Sequence, residues 1–251
     1  SGQPFTVAAT ARNAAGVTTA NYRDFGGGII FSKDTTISDA GTTTNFTPNN
    51  NTSSNNLMSA VNFVNGVRIQ GTVTYAFPVK ETAPATVTLR ATDTDGVNSS
   101  GHTEGQTEIR SGRVHIFNAY GSELVALPVP MRVEYYSATD GWITNINDTC
   151  TSVALGSLTP SNPITVIGSS PVKTTNASIA NAPFSGGDAG LSLSKPDVGG
   201  TGYVDLTADL TANAWLKYDW NGTGTAVNPA GRATFGIYRG SPKSIYLRER
   251  Y

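Results

Sequence analysis

Short stretches of this chain alternate between apolar and polar residues with a period of two. In residues 3–10, Phe5, Val7 and Ala9 alternate with smaller or polar neighbours, which is typical of a strand with one buried face. The same reasoning predicts further strands over residues 17–22, 29–31, 67–77, 86–91, 113–117, 123–136, 142–144, 202–206, 214–220, 233–238 and 244–251. Short strands between turn signals are the pattern of Ig-like sandwiches.

Glycine residues refine this pattern at two places. The run at residues 26–28 predicts a kink or bulge, followed by a buried strand at residues 29–31. Gly71 interrupts the strand over residues 67–77, so we expect an irregularity there.

Proline residues and polar segments set further expectations. Pro128 and Pro130 lie within the apolar stretch 123–136. Because proline lacks the N–H that a central ladder needs, we expect this region at a sheet edge or bulge. Residues 118–122 predict a turn, and the polar residues 39–56 predict a long exposed loop.

Composition decides the fold class. Hydrophobic residues make up 38% of the 251, enough for a core, while 27 are glycine and 13 are proline. Runs of threonine, asparagine and glycine do not propagate helix. We therefore predict an all-β protein of two Ig-like or related β-sandwich domains, over residues 1–100 and 101–251. No repeat of 20 to 50 residues is visible, which argues against a solenoid or propeller.

Charge and hydropathy limit the classes of partner that we expect for this chain. The formal net charge is −1, and charged residues make up 14%. No basic stripe interleaved with aromatic residues is present, so nucleic acid is not an expected partner. No run of about 20 apolar residues predicts a membrane span. The lysine-poor surface, rich in threonine, asparagine and glycine, resembles that of exported bacterial β proteins.

One loop has some of the features of a calcium site. Asp219 and Asn221 offer oxygen ligands at alternating positions, but Thr223 is a poor ligand and Ala230 stands where a closing acid is needed. The alternative is a β turn that the Asp and Asn side chains close. Asp93 begins a second segment of the same kind. We expect no cofactor, with calcium left open at these loops.

Aromatic residues suggest a sugar-binding platform. If residues 214–220 form a strand, Trp215, Lys217 and Asp219 share one face. An aromatic ring beside polar groups can bind a glycan, whereas in the alternative Trp215 covers a sheet edge.

Catalytic signatures are absent from the sequence. It contains no nucleophile elbow, phosphate loop or dinucleotide fingerprint. We expect Cys150, the single cysteine, to be a buried inert thiol and His115 to be half-exposed in a sheet. The 18 Asp and Glu residues leave a glycosidase-type pair open, because such a pair is defined by its separation in space.

The end of the sequence reads as a hairpin. A turn at residues 240–243 joins strands at 233–238 and 244–251, and Ile245 and Leu247 share one face of the last strand. We expect this strand to pair within its own chain, although a terminal strand can also complete a neighbour's sheet.

Four segments together resemble the C-terminal region of MshQ-like proteins, which are large bacterial surface proteins associated with MSHA-type (type IV) pilus loci. They are residues 123–136 (ELVALPVPMRVEYY), 144–150 (TNINDTC), 215–220 (WLKYDW) and 231–240 (GRATFGIYRG). Residues 2–7 and 13–16 are similar to the Ig-like stretch that precedes this region.

The resemblance implies an extracellular or outer-surface location, with pilus or other surface proteins as partners, and it brings no catalytic residues. We therefore expect a non-enzymatic structural or adhesive protein. Two alternatives remain open: a carbohydrate-binding module or hydrolase accessory domain that binds glycans, and a self-assembling filament subunit.

Overall fold

The computed structural model describes residues 1–40, 56–77, 80–160, 174–198 and 200–236. The described residues are almost entirely strands and loops, so the all-β, sandwich-type prediction is confirmed. The strands are β1 (Pro4–Thr10), β2 (Thr35–Asp39), β3 (Leu57–Met58), β4 (Val67–Thr74), β5 (Ala85–Asp93), β6 (Gly105–Ile109), β7 (Gly112–Ile116), β8 (Ala119–Gly121), β9 (Leu127–Pro128), β10 (Met131–Ser137), β11 (Gly141–Thr144), β12 (Leu158–Pro160), β13 (Ala177–Ile179), β14 (Leu191–Leu193), β15 (Gly202–Ala208) and β16 (Ala230–Phe235).

Helical structure among the described residues is limited to short 3₁₀ segments at Ala60–Asn62, Leu155–Ser157 and Thr211–Leu216. None of the described helices is long and apolar enough to cross a membrane.

The chain divides into two compact units, each with its own hydrophobic core. The first unit comprises Ser1–Arg113 and Glu134–Ile143, and the second comprises Val114–Val133 and Thr144–Tyr251. Strands β7, β10 and β11 form one sheet in the order β11-β10-β7.

The first unit contains a two-stranded sheet, β1-β4, and a four-stranded sheet in the order β3-β2-β5-β6. Its core includes Ile37, Met58, Val73 and Val87, none more than 3% exposed. The irregularity expected at Gly71 is present, because Phe5 pairs with Val73 while Val7 pairs with Gln70.

The expectation of a buried strand at residues 29–31 is wrong. Ile29, Ile30 and Phe31 are 56%, 42% and 59% exposed. Residues 26–28 form the tip of a tight hairpin, and all three glycines have positive φ. An apolar run predicts burial only where the fold supplies a facing surface, and none of the described residues covers these side chains enough to bury them.

The second unit is built around a four-stranded sheet in the order β12-β15-β16-β8, together with the sheet β13-β14-β9. Strand β15 alternates strictly, with Val204, Leu206 and Ala208 fully buried and the intervening residues partly exposed. Its buried face joins a core that includes Phe184 and Phe235.

The proline prediction is confirmed for residues 127–130 but is wrong for residues 131–136, since β10 is the central strand of the sheet β11-β10-β7. Pro128 lies in β9, which is an edge strand of its sheet, and Pro130 lies between β9 and β10. The carbonyl oxygen of Pro130 accepts a hydrogen bond of 2.8 Å from the backbone N–H of Phe117. The missing N–H groups therefore cost no pairing inside a sheet.

Two local predictions in the second unit are wrong. Residues 119–121 form β8, parallel to β16, instead of a turn, because the partner strand is distant in sequence and leaves no local signal. Residues 214–220 are not a strand, since Trp215 lies in the 3₁₀ helix Thr211–Leu216.

Two further predictions fall outside the described residues. The long loop expected at 39–56 lies largely there, since β2 ends at Asp39 and residues 41–55 are not described. The turn at 240–243 and the strand at 244–251 lie there entirely.

Candidate ligand-binding face

Trp215 and Lys217 do not occupy one face of a strand. Trp215 is half-buried and packs against the core of the second unit. Its indole Nε1 is buried and has no hydrogen-bond partner among the described residues. The carboxylate of Asp209 accepts hydrogen bonds from the backbone N–H and hydroxyl of Thr211, at 3.0 and 2.7 Å, which favours a helical turn here over an extended chain.

Asp219 closes its own loop. Its carboxylate oxygens accept hydrogen bonds from the backbone N–H groups of Thr223 and Gly224, at 3.0 and 2.7 Å. These hydrogen bonds, that from Gly224 most of all, hold the pKa of Asp219 below its ordinary value. Asn221 is exposed. The Asp219 side chain therefore closes the loop, as in the alternative to calcium that the sequence left open.

The Asp93 loop has a similar arrangement. One carboxylate oxygen of Asp93 accepts hydrogen bonds from the N–H groups of Asp95 and Val97, at 3.0 and 2.9 Å. The Asp95 carboxylate lies 3.2 Å from Nζ of Lys33. Among the described residues, no group of three or more His, Cys, Asp or Glu side chains is placed to hold a metal ion.

The outer side of the β15-β16-β8 sheet brings aromatic and charged groups together. Register places Thr234 of β16 between Tyr203 of β15 and Tyr120 of β8. In the neighbouring row, Asp205 faces Arg232. Because adjacent strands lie about 4.8 Å apart, the two tyrosine Cα atoms are about 10 Å apart. We call these five residues the tyrosine face.

An ion pair lies in the row next to the two tyrosines. Nε and Nη2 of Arg232 lie 2.6 and 2.8 Å from the two carboxylate oxygens of Asp205, a bidentate geometry. The hydrogen bonds that Arg232 donates to Asp205 raise the pKa of Arg232. The guanidinium also lies 4.0 Å from the centroid of the Tyr203 ring.

Apart from Thr234, which is buried, the tyrosine face is accessible to a ligand. The Arg232 and Asp205 side chains are 48% and 43% exposed, so both retain hydrogen-bonding capacity toward solvent. Tyr120 is 72% exposed, which leaves its ring available for contact. The face thus combines ring surface, hydrogen-bond donors and hydrogen-bond acceptors on a regular sheet.

Comparison with family models accounts for the whole described chain. Residues 1–111 match the third domain of DUF6701, and residues 110–250 match the fourth domain. The chain belongs to the DUF6701 family. No curated protein and no solved structure matches it. The tyrosine face lies within the segment matched to the fourth DUF6701 domain.

Sequence reasoning missed the tyrosine face of the fourth DUF6701 domain. A usable signal was present in β15, where Tyr203, Asp205 and Thr207 alternate with buried residues. Tyr120 gave no such signal, because residues 118–122 predicted a turn.

Cys150 and His115, for which the sequence also set expectations, lie in the fourth DUF6701 domain as well. The expectation of a buried Cys150 is wrong, since this thiol is exposed in a loop. His115 is half-buried, as expected. Its ring lies close to those of Phe117 and Trp220, with centroid separations of 3.8 and 4.8 Å.

Proposed function

We propose that this DUF6701 chain is a non-enzymatic structural or adhesive protein of the bacterial outer surface. The resemblance of its C-terminal half to MshQ-like proteins supports an extracellular location and an association with a type IV pilus. The all-β architecture and low charge suit a display role. The observation that carries the proposal is the tyrosine face, a sheet surface that presents aromatic and charged side chains to a ligand.

The chemistry of the face favours adhesion. Tyrosine side chains supply a large contact area at a small cost in conformational entropy. The Arg232–Asp205 pair adds directional hydrogen bonds beside them. Such a face can bind a surface protein or a glycan.

A carbohydrate-binding module is the second candidate, and the spacing of the tyrosines favours it. The two tyrosine Cα atoms, about 10 Å apart across the sheet, are separated by roughly the length of a disaccharide. Sugar C–H faces pack on aromatic rings, while the hydroxyls pair with guanidinium and carboxylate groups. The Trp215 and Lys217 site predicted from the sequence is a competing location for the same ligand.

A filament subunit is the third candidate, and it rests on the sequence of the terminal strand. Size-exclusion chromatography with light scattering distinguishes a filament subunit from the other two candidates. A polymer in solution supports this candidate, whereas a monomer supports a displayed adhesive protein.

A glycan array tests the first two candidates. The wild-type chain is compared with Tyr120→Ala and with Trp215→Ala, and Leu124→Ala serves as control because Leu124 is also highly exposed, at 73%. Binding lost only in Tyr120→Ala supports a glycan at the tyrosine face. Binding lost only in Trp215→Ala moves the site to the sequence-predicted position. Absence of any glycan binding leaves a protein partner as the ligand of the adhesive function.

A further inference from the structure

Asparagine precedes glycine at two positions of the sequence: Asn65 before Gly66, and Asn221 before Gly222. The backbone nitrogen that follows an asparagine can attack the side-chain amide and close a succinimide ring. This attack is easiest when the following residue is glycine, because no side chain hinders the approach. Both pairs can therefore undergo the same reaction, and their surroundings in the fold decide which of them does.

The backbone of Gly66 is fixed by hydrogen bonds to other segments of the first unit. Its N–H donates to the carbonyl of Tyr22 at 3.1 Å, and its carbonyl accepts from the N–H of Ala11 at 2.8 Å. The side-chain oxygen of Asn65 accepts a hydrogen bond of 3.1 Å from Nη1 of Arg23. Gly66 is also buried. Both the nitrogen that would attack and the amide that would be attacked are therefore held in place.

The turn that contains Asn65 adds a further restraint. Val64 and Val67 exchange backbone hydrogen bonds of 2.8 and 3.0 Å across it, and Asn65 and Gly66 have φ angles of 49° and 82°, as in a tight two-residue hairpin turn. A Cβ atom at Gly66 would lie 2.5 Å from the carbonyl oxygen of Thr19, so the backbone has no room to shift. Succinimide formation at Asn65 thus requires the turn to open first.

The second pair lies in an exposed loop of the second unit. Backbone hydrogen bonds of 3.3 and 2.9 Å between Tyr218 and Val227 close this loop, so the pair lies between the paired residues and not among them. Asn221 and Gly222 are both exposed. A Cβ atom at Gly222 would meet no described atom within 4 Å, whereas the one at Gly66 would clash. The backbone at this pair can therefore move without loss of packing.

The loop is held mainly by residues that follow the pair. The backbone N–H groups of Thr223 and Gly224 donate to the Asp219 carboxylate at 3.0 and 2.7 Å. Among the N–H groups that lower the pKa of Asp219, that of Gly224 contributes most and that of Gly222 least. The nitrogen that attacks in succinimide formation is thus the most weakly held of these donors.

We propose that Asn221 is a deamidation site of this chain, and that the fold protects Asn65 from the same reaction. The Gly222 nitrogen attacks Cγ of Asn221, the Cγ–Nδ2 bond breaks, and ammonia leaves with the proton from the Gly222 nitrogen. Water then opens the succinimide. Cleavage of the new N–Cγ bond gives aspartate, and cleavage of the bond to the main-chain carbonyl carbon gives isoaspartate. Water is the only co-reactant.

The product changes the charge and the backbone of the loop. A carboxylate at residue 221 lies two residues from Asp219 in the sequence, and like charges at short range disfavour each other. Isoaspartate also inserts a methylene group into the backbone before Gly222, within the loop that the Asp219 carboxylate holds. The inference goes beyond the adhesive function and does not depend on the tyrosine face.

Peptide mass spectrometry of the full chain, incubated at mildly alkaline pH, tests the proposal. We expect residue 221 to convert to aspartate and isoaspartate at least about tenfold faster than residue 65, because the turn at residue 65 must first open. The same chain unfolded in guanidinium chloride is the control, since it keeps both pairs and removes the fold. There we expect the two rates to lie within about threefold of each other.

Asn221→Gln is a second control, because the longer glutamine side chain does not form the succinimide. We expect this variant to melt like the wild-type chain and to lose most of the ammonia release of the folded protein. Equal conversion at residues 65 and 221 in the folded chain overturns the proposal, as does an unreactive residue 221 where the unfolded chain reacts. A rate difference of the same size in guanidinium chloride also overturns it, because the local sequence and not the fold then sets the rates.

Discussion

Nε of Arg113 lies 2.8 Å from a carboxylate oxygen of Glu134, and the two residues are only 8% and 5% exposed. The Arg113 guanidinium also lies 4.0 Å from the centroid of the Trp142 ring. All three residues belong to the first unit. Removing one charge leaves the other buried without its partner, which is more costly than removing both.

We expect Glu134→Leu to lower the free energy of unfolding by about 3 to 5 kcal/mol, and Arg113→Met with Glu134→Leu to lower it much less. Urea unfolding of the wild-type chain and the two variants measures this. Equal losses in the single and double variants would show that packing, and not charge pairing, dominates at this site.

The close approach of Gly231 to Ile116 in the second unit gives a second prediction. A Cβ atom at residue 231 would lie 2.6 Å from Cγ2 and 2.7 Å from the carbonyl oxygen of Ile116. We expect Gly231→Ala to destabilise the unit by about 1 to 3 kcal/mol, because the strands must move apart. Gly156→Ala is the control, since its added Cβ would meet no described atom within 4 Å. In thermal melting, we expect the melting temperature of Gly231→Ala to be well below that of the Gly156→Ala control.

Calcium should have little effect on stability. The Asp219 carboxylate is already engaged by backbone N–H groups, and the sequence supplies no closing acid. We expect melting curves in calcium and in chelator to coincide. A shift of more than about 10 °C would contradict this expectation, because it requires tight binding to the native state.

Acid should weaken the Asp219 loop. Its backbone hydrogen bonds lower the pKa of Asp219 in the folded state. The stabilisation is therefore present above the ordinary pKa of an aspartate and is lost as the pH falls through the lowered value. We expect the stability difference between the wild-type chain and Asp219→Asn to shrink over this acid range. Urea unfolding at a series of pH values measures it, and a difference independent of pH would show that the charge is not the cause.

Local alternation predicted much of the fold. Strands β1, β5 and β15 lie where the apolar residues alternate, and the prolines at 128 and 130 correctly predicted an edge. Local patterns could not reveal partners distant in sequence. The parallel pairing of Tyr120 with Thr234 assembles the tyrosine face. The sequence around either residue contains no local pattern that identifies the other as its partner.

The wrong predictions have a common physical origin. Ile29 and Phe31 form an apolar run, but burial requires a facing surface that the run itself does not specify. Trp215 lies in an alternating aromatic segment, yet the side chain of Asp209 favours a 3₁₀ turn before it. In each case a nonlocal or side-chain interaction outweighed the periodicity.

Adhesion of coated beads tests the central proposal most directly. Beads carrying the purified chain are flowed over immobilised mucin, chitin and purified bacterial surface proteins, beside beads carrying Tyr120→Ala with Tyr203→Ala or the Leu124→Ala control. We expect the wild-type and control beads to be retained on at least one surface, and the double tyrosine variant to lose at least about tenfold of that retention. Retention unaffected by the tyrosine substitutions, or release of soluble sugar or peptide fragments by the wild-type chain, would contradict a non-enzymatic adhesive role for the tyrosine face.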